Sequence, residues 1–254
     1  MPANRMKEKL VTGKPAFGLS VMIPSPQIVE SAPGMGFDWV LIDCEHGTIG
    51  LETMELMIMA AEAAGVTPIV RPPTNATGDI LRAMDRGAQG VQVPHVNTAA
   101  QARAAVEAVK FHPQGQRSLA VGTRASGYGF RGSMGEFVAE ANRQTLVCVQ
   151  IEDQEALPHL AEILEVQGVD VFFIGPSDLS QSMGYPGNPK APAVADAIES
   201  ALASIVAAGK TPGMPASTDA VQAALAKGVR YIYTHLPAIL ASGAKGYFQK
   251  ATTG

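Results

Sequence analysis

Four short segments of this 254-residue chain place groups that can do chemistry directly behind apolar runs. Leu41-Ile-Asp-Cys-Glu-His-Gly47 ends one run with an imidazole, His46, beside two carboxylates. Pro68-Ile-Val-Arg71 ends another on a guanidinium. Val147-Cys-Val-Gln-Ile-Glu152 delivers Gln150 and Glu152, whose spacing of two puts both on one face of a strand. Val169-Asp-Val-Phe-Phe-Ile-Gly-Pro-Ser-Asp178 stops at a Gly175-Pro176 turn, then presents Ser177 and Asp178. Glu152 and Asp178 suit a hard divalent ion such as magnesium or manganese, which takes few protein carboxylates and leaves positions for substrate oxygens. Zinc recruits histidine or cysteine more often, and neither stands beside these acids in sequence. His46 suits a general base, because an imidazole titrates near neutral pH. Arg71 offers a planar cationic fork for a carboxylate or a developing enolate oxygen. Each group also has an ordinary structural use: helix capping for the acids, a satisfied strand-end imidazole for His46, a rim salt bridge for Arg71.

These groups need a scaffold that gathers strand ends. Apolar, β-branched runs predict strands at 16–22, 38–43, 67–71, 90–93, 146–151, 170–174, 211–214 and 230–234. Amphipathic stretches predict helices at 25–34, 51–64, 78–86, 98–111, 157–165, 193–208, 218–227 and 237–249. Eight strands, each followed by a helix, over 254 residues is the signature of an α/β fold of the (β/α)8 barrel type, read here as one domain. In that fold the carboxyl ends of the strands carry the chemistry, and all four segments fall there. An open doubly wound sheet is the alternative, but neither Gly-x-Gly-x-x-Gly nor a P-loop is present. The glycine- and arginine-rich stretch at about 112–143 breaks the rhythm and predicts a long loop insertion, either at the active site or at a subunit contact.

Composition excludes several classes. Charged residues make up 17% with a net charge of −4, and the basic residues are scattered, so no nucleic-acid partner is expected. No run approaches the roughly 18–20 apolar residues of a membrane span, and the amino terminus lacks a signal-peptide core. The two cysteines, Cys44 and Cys148, fall in predicted strands, which suits reduced thiols in a cytoplasmic protein. No lysine falls at the catalytic end of a predicted strand, which argues against a Schiff-base aldolase.

The segments Gly36-Phe-Asp-Trp-Val-Leu-Ile-Asp-Cys-Glu-His-Gly47, Val70-Arg-Pro-Pro73, Val149-Gln-Ile-Glu152 and Ile174-Gly-Pro-Ser-Asp-Leu-Ser180 together resemble the HpcH/HpaI family of class II pyruvate aldolases. Arg124-Ala-Ser-Gly-Tyr-Gly129 and Gly184-Tyr-Pro-Gly-Asn-Pro189 extend the likeness, which covers roughly residues 15–216. The resemblance implies reversible aldol cleavage of a 4-hydroxy-2-oxo acid into pyruvate, or a close analogue, and an aldehyde. It implies a divalent metal (magnesium, manganese or cobalt) on Glu152 and Asp178, His46 as base, Asp85 raising the basicity of that histidine, and Arg71 stabilising the transition state. Substrate contacts fall on Gln150 and on Gly175, Pro176, Ser177 and Asp178. The partners implied are small molecules and further copies of the chain, in a hexamer built as a trimer of dimers that exchange the C-terminal helix, 237–249. Two places depart from the family pattern. Arg117-Ser118 replaces the usual Arg-Gly, and the last strand ends Tyr231-Ile-Tyr-Thr-His-Leu-Pro237, which puts Tyr233 or His235 within reach of the acceptor side. A carbon–carbon lyase acting on an acyl-CoA and a catalytically silent carboxylate-binding barrel are the competing readings.

Overall fold

A computed structural model describes residues 2–252. Eight parallel strands close into a barrel in sequence order: β1 Ala16–Val21, β2 Trp39–Asp43, β3 Thr67–Arg71, β4 Gly90–Val93, β5 Leu146–Ile151, β6 Val171–Ile174, β7 Pro212–Pro215 and β8 Tyr231–His235. Helices run back along the outside, among them α2 Pro26–Ser31, α3 Leu51–Ala64, α4 Thr77–Asp85, α5 Ala99–Val109, α7 Leu160–Leu164, α9 Pro192–Ala207 and α10 Val221–Ala226. The expected (β/α)8 barrel is therefore present, with strand bounds matching to within about a residue.

Period-two alternation sorts each strand between two layers. Val147, Val149 and Ile151 of β5 pack outward beneath the helices. Leu146 and Cys148 point inward, with Trp39, Leu41, Ile69, Phe173, Tyr231 and Tyr233. Fully burying one such side chain stabilises the fold by about 1.5–3 kcal/mol. Trp39 dominates the lower layer, 4.1 Å from the Tyr231 ring centroid. Its partner in register is Gly18, where a β-carbon would lie 2.3 Å from the indole, so the bulk of one strand requires the bareness of its neighbour. Higher in the barrel the inward positions turn polar: Ser20, Asp43, Arg71, Gln92 and Gln150 are all buried.

The structure adds elements that the periodicity missed. Helix α1 Arg5–Val11 sends Met6 and Leu10 into the interior apolar cluster and so closes the amino-terminal floor of the barrel. The 112–143 stretch is not one long irregular loop: its second half is α6 Met134–Gln144, started by a reciprocal Ser133–Glu136 capping box. Its first half does not sit at the rim. Arg117 Nη2 donates to Asp85 Oδ1 at 2.9 Å and Ala125 N to the Asp85 carbonyl at 3.1 Å. Arg124 donates to the Arg86 carbonyl at 3.1 Å and pairs with Glu62. Asp85 and Glu62 lie at the carboxyl ends of α4 and α3, which return to the floor, so this segment braces the end opposite the strand tips. Residues 176–182 form a further short helix, α8 Pro176–Ser182, directly after β6. Cys44 sits at a bend just past β2 rather than in it, while Cys148 is in β5; both are free thiols.

Candidate active site

The register of β2 and β3 sets the first half of the site by pairing Asp43 with Arg71. Arg71 donates through Nε to Asp43 Oδ1 at 3.0 Å and through Nη2 to Oδ2 at 2.5 Å, a bidentate fork with both side chains buried. Its third nitrogen, Nη1, lies 3.1 Å from Glu45 Oε2. Burial alone would lower the Arg71 pKa, but the Asp43 bond and charge reverse this and hold it above its ordinary value. Asp43 Oδ1 also accepts from the backbone N–H groups of Glu45 at 3.1 Å and His46 at 3.2 Å. That pins the turn which presents His46 to solvent at the rim. The turn closes at Gly47, where any β-carbon would lie 2.2 Å from the Asp43 carbonyl oxygen.

The second half is a chain of polar contacts across β4, β5 and β6. Gln92 Nε2 donates to Gln150 Oε1, and Gln150 Nε2 donates to Glu152 Oε2. The other Glu152 oxygen accepts from the His95 backbone N–H at 2.9 Å. His95 stands just past β4 with a left-handed φ of 52°, a conformation uncommon outside glycine. It turns its ring between carboxylates: Nδ1 is 3.0 Å from Asp153 Oδ2 and 3.6 Å from Glu152 Oε1, and Nε2 is 3.4 Å from Glu45 Oε1. Burial pushes Glu152 up to about 7, opposed by the Gln150 and His95 bonds and abetted by the Asp178 charge. Burial likewise raises Glu45, against the charges of Arg71, His46 and His95. For His95 burial acts downward, but the Asp153 bond and the surrounding acids prevail and raise it. Glu45, His95 and Glu152 offer donor atoms all within 4.8 Å of one another. This candidate divalent-metal cluster holds a nitrogen donor that adjacency in sequence did not suggest.

Gly175 joins the halves. A β-carbon at this position would fall 2.7 Å from Glu152 Oε2, so the end of β6 can pass over the buried carboxylate only as glycine. The next turn begins α8, whose N-cap is Gly175 with no side-chain cap bond, so Asp178 is not the helix cap that its position allowed. No hydrogen bond or ion pair from the described residues occupies its carboxylate.

A cleft of about 360 Å³ opens at the strand tips, lined by His46, Arg71, Gln150 and the Gly175–Asp178 turn on one side and by Tyr233 and His235 on the other. Glu152 lies against Gly175, behind the lining. Asp85 is the exception. It sits at the floor end of α4 with its carboxylate on Arg117, so this chain does not bring it to its own His46. The helix carrying it starts at the rim but runs away from it, a direction that spacing in sequence does not reveal. Three participants escaped the sequence reading: Asp43 as the anchor of Arg71, Glu45, and His95. The parity Trp39, Leu41, Asp43 was available as a signal for the first. His95 follows the short strand β4 in Val93-Pro-His95, and its acidic neighbours come from other strands.

The sequence profile of the family described as HpcH/HpaI aldolase/citrate lyase matches residues 17–235. A 4-hydroxy-2-oxo-heptane-1,7-dioate aldolase from Salmonella arizonae is 42% identical over 212 residues, 83% of this chain and 80% of that protein. One from Escherichia coli is 41% identical over the same shares. An HpcH/HpaI aldolase/citrate lyase family protein from Burkholderia cenocepacia superposes with a TM-score of 0.91 at 29% identity, covering 98% of this chain and 99% of that one. An HpcH/HpaI aldolase from Desulfitobacterium hafniense gives 0.86 at 28% identity, over 97% and 96%. The chain belongs to the HpcH/HpaI aldolase/citrate lyase family.

Proposed function

We propose that this protein is a divalent-metal-dependent aldolase that reversibly cleaves a 4-hydroxy-2-oxo acid into pyruvate, or a close 2-oxo acid, and an aldehyde. The observation that carries the reading is the cleft that gathers a fixed, carboxylate-anchored Arg71, an exposed His46 and Asp178, with buried Glu152 bonded to its lining residue Gln150. The residues fit an ion. Glu152 is common to two donor sets, a pair with Asp178 and the cluster with Glu45 and His95. The pair is the better resident site, because Arg71 already engages Glu45 while Asp178 is unengaged among the described residues. Magnesium, manganese or cobalt suits it. A bound divalent ion would supply Lewis acidity toward the 2-oxo group.

The remaining work falls to side chains. Gln150 and the Gly175-Pro176-Ser177 turn receive the substrate's carboxylate end. His46 removes the C4 hydroxyl proton, C4–O becomes the aldehyde carbonyl, and the C3–C4 electron pair passes into the enolate of pyruvate. Arg71, unable to turn away from Asp43, holds the oxygen charge that develops. Protonation at C3 completes pyruvate, and the reverse sequence forms the bond. Asp85 can neighbour a His46 only across a contact between copies of the chain, and an oligomer belongs to this reading. Helix α11 Leu236–Thr252 supports it, with Leu240, Tyr247 and Phe248 exposed at 60%, 70% and 63%. Among the described residues no helix is long and apolar enough to cross a membrane.

The test is a panel of 4-hydroxy-2-oxo acids set against acyl-CoA thioesters, with pyruvate and free CoA read separately in metal-loaded protein. Pyruvate from the oxo acids is expected. Release of CoA without pyruvate would replace this reading with the acyl-CoA lyase one.

A further inference from the structure

The cleft has a second wall that the reaction above does not use. His235, the last residue of β8, is half-buried and lines the same cavity as Arg71, His46 and Asp178. Its ring stands edge-on to Tyr233 at 5.3 Å and 83°, and Tyr233 stacks on Phe173 at 5.3 Å and 6°. The imidazole is thus backed by two buried aromatic rings, and no hydrogen bond from the described residues engages either ring nitrogen. Burial, with the Arg71 charge added, lowers its pKa, so near neutral pH it presents one N–H donor and one bare nitrogen acceptor. Met22, Pro215 and Pro237 complete an apolar surround. Among the described residues Arg71 is the only lysine or arginine lining the cavity, and Asp43 and Glu45 already meet its charge.

We propose that His235 determines the acceptor: its imidazole hydrogen-bonds a hydroxyl group carried beside the aldehyde carbon, so the site takes small neutral hydroxyaldehydes in preference to aldehydes bearing a carboxylate. The inference rests on the aldolase reading and adds the substrate class to it. A hydroxyl both donates and accepts, which matches the two faces of a neutral imidazole. A carboxylate uses only the donor and, among the described residues, finds no free cation beside it. Retro-aldol cleavage of a 4-hydroxy-2-oxoheptane-1,7-dioate releases a four-carbon aldehyde with such a carboxylate, so this chain separates in specificity from relatives named for that reaction.

The experiment measures kcat/KM for condensing pyruvate with glycolaldehyde, propanal and 4-oxobutanoate in the metal-loaded protein. Wild type is expected to favour glycolaldehyde over each of the others by about tenfold or more, the worth of one good hydrogen bond. His235→Phe, which keeps the aromatic plate and removes both nitrogens, brings the glycolaldehyde-to-propanal ratio near unity, and His235→Gln restores part of it. These ratios do not depend on how much of a variant folds. A wild-type preference for 4-oxobutanoate, or an unchanged ratio in His235→Phe, overturns the proposal. Exchange of pyruvate methyl protons with deuterated water by wild type reports the donor half alone. If exchange occurs, a failed ratio condemns only the role of His235; if it is absent, the aldolase reading falls and this proposal falls with it.

Discussion

Two arginine–aspartate pairs, each with a buried guanidinium, lie at opposite ends of the barrel. At the rim, Arg71 grips Asp43 through two nitrogens and has Glu45 on the third. At the floor, Arg117 makes a single 2.9 Å bond to Asp85, lies 4.6 Å above the Phe111 ring, and leaves its buried Nε without a partner. Their electrostatics diverge accordingly. Asp43 raises the Arg71 pKa despite burial, whereas burial lowers that of Arg117 despite Asp85. The rim pair opens on a cleft with a metal-capable acid nearby; the floor pair ties a loop to the end of α4. The same two residue types are chemical equipment in one place and a brace in the other, and what decides is which strand or helix end carries them.

The largest effect should come from dismantling the rim pair. Arg71→Met, alone or with Asp43→Leu, is expected to cut pyruvate-forming turnover by about 10²–10³, and the apolar pair should not restore it. At the floor, Asp85→Leu strands a buried guanidinium and should cost about 3 kcal/mol in urea unfolding, while Asp85→Leu with Arg117→Met should recover most of that. Recovery of turnover at the rim, or no recovery of stability at the floor, would erase the distinction. Gly175→Ala tests how tightly the rim is built: its methyl would collide with Glu152, so calorimetry should show divalent-ion affinity falling about tenfold or more.

The smallest effect probes a floor cation by pH. Lys110 is buried against the carbonyls of Asn142 and Thr145, and burial, with the Lys7 charge, lowers its pKa to about 8. Between about 8 and the unfolded value near 10.4 the unfolded chain binds more protons, so stability should rise with pH across that window. Below about 8 both states are protonated and the penalty is constant. Unfolding of wild type relative to Lys110→Met at pH 7.5 and 9.5 checks the sign.

The barrel was legible because apolar runs and glycine-punctuated helices report burial locally, and the tips of β2, β3, β5 and β6 were legible because each run ends on a polar group. His95 was not, because β4 is only four residues long and the acids around the imidazole come from β2 and β5. The floor location of 112–133 was equally hidden: arginines in a glycine-rich stretch read as an active-site loop or a subunit contact until Asp85 and Glu62 claim them. The distance of Asp85 from its own His46 was hidden for a related reason, since nine helical residues carry it from the rim to the far end.

In the proposed reaction the acid pair at the rim works through a divalent ion. The most direct test is pyruvate release from a 4-hydroxy-2-oxo acid by chelator-stripped protein, before and after add-back of magnesium, manganese or cobalt, in wild type and Glu152→Gln. Activity should be lost on stripping, restored by add-back in wild type and not restored in Glu152→Gln. Full turnover in the stripped protein, or in Glu152→Gln, would contradict it.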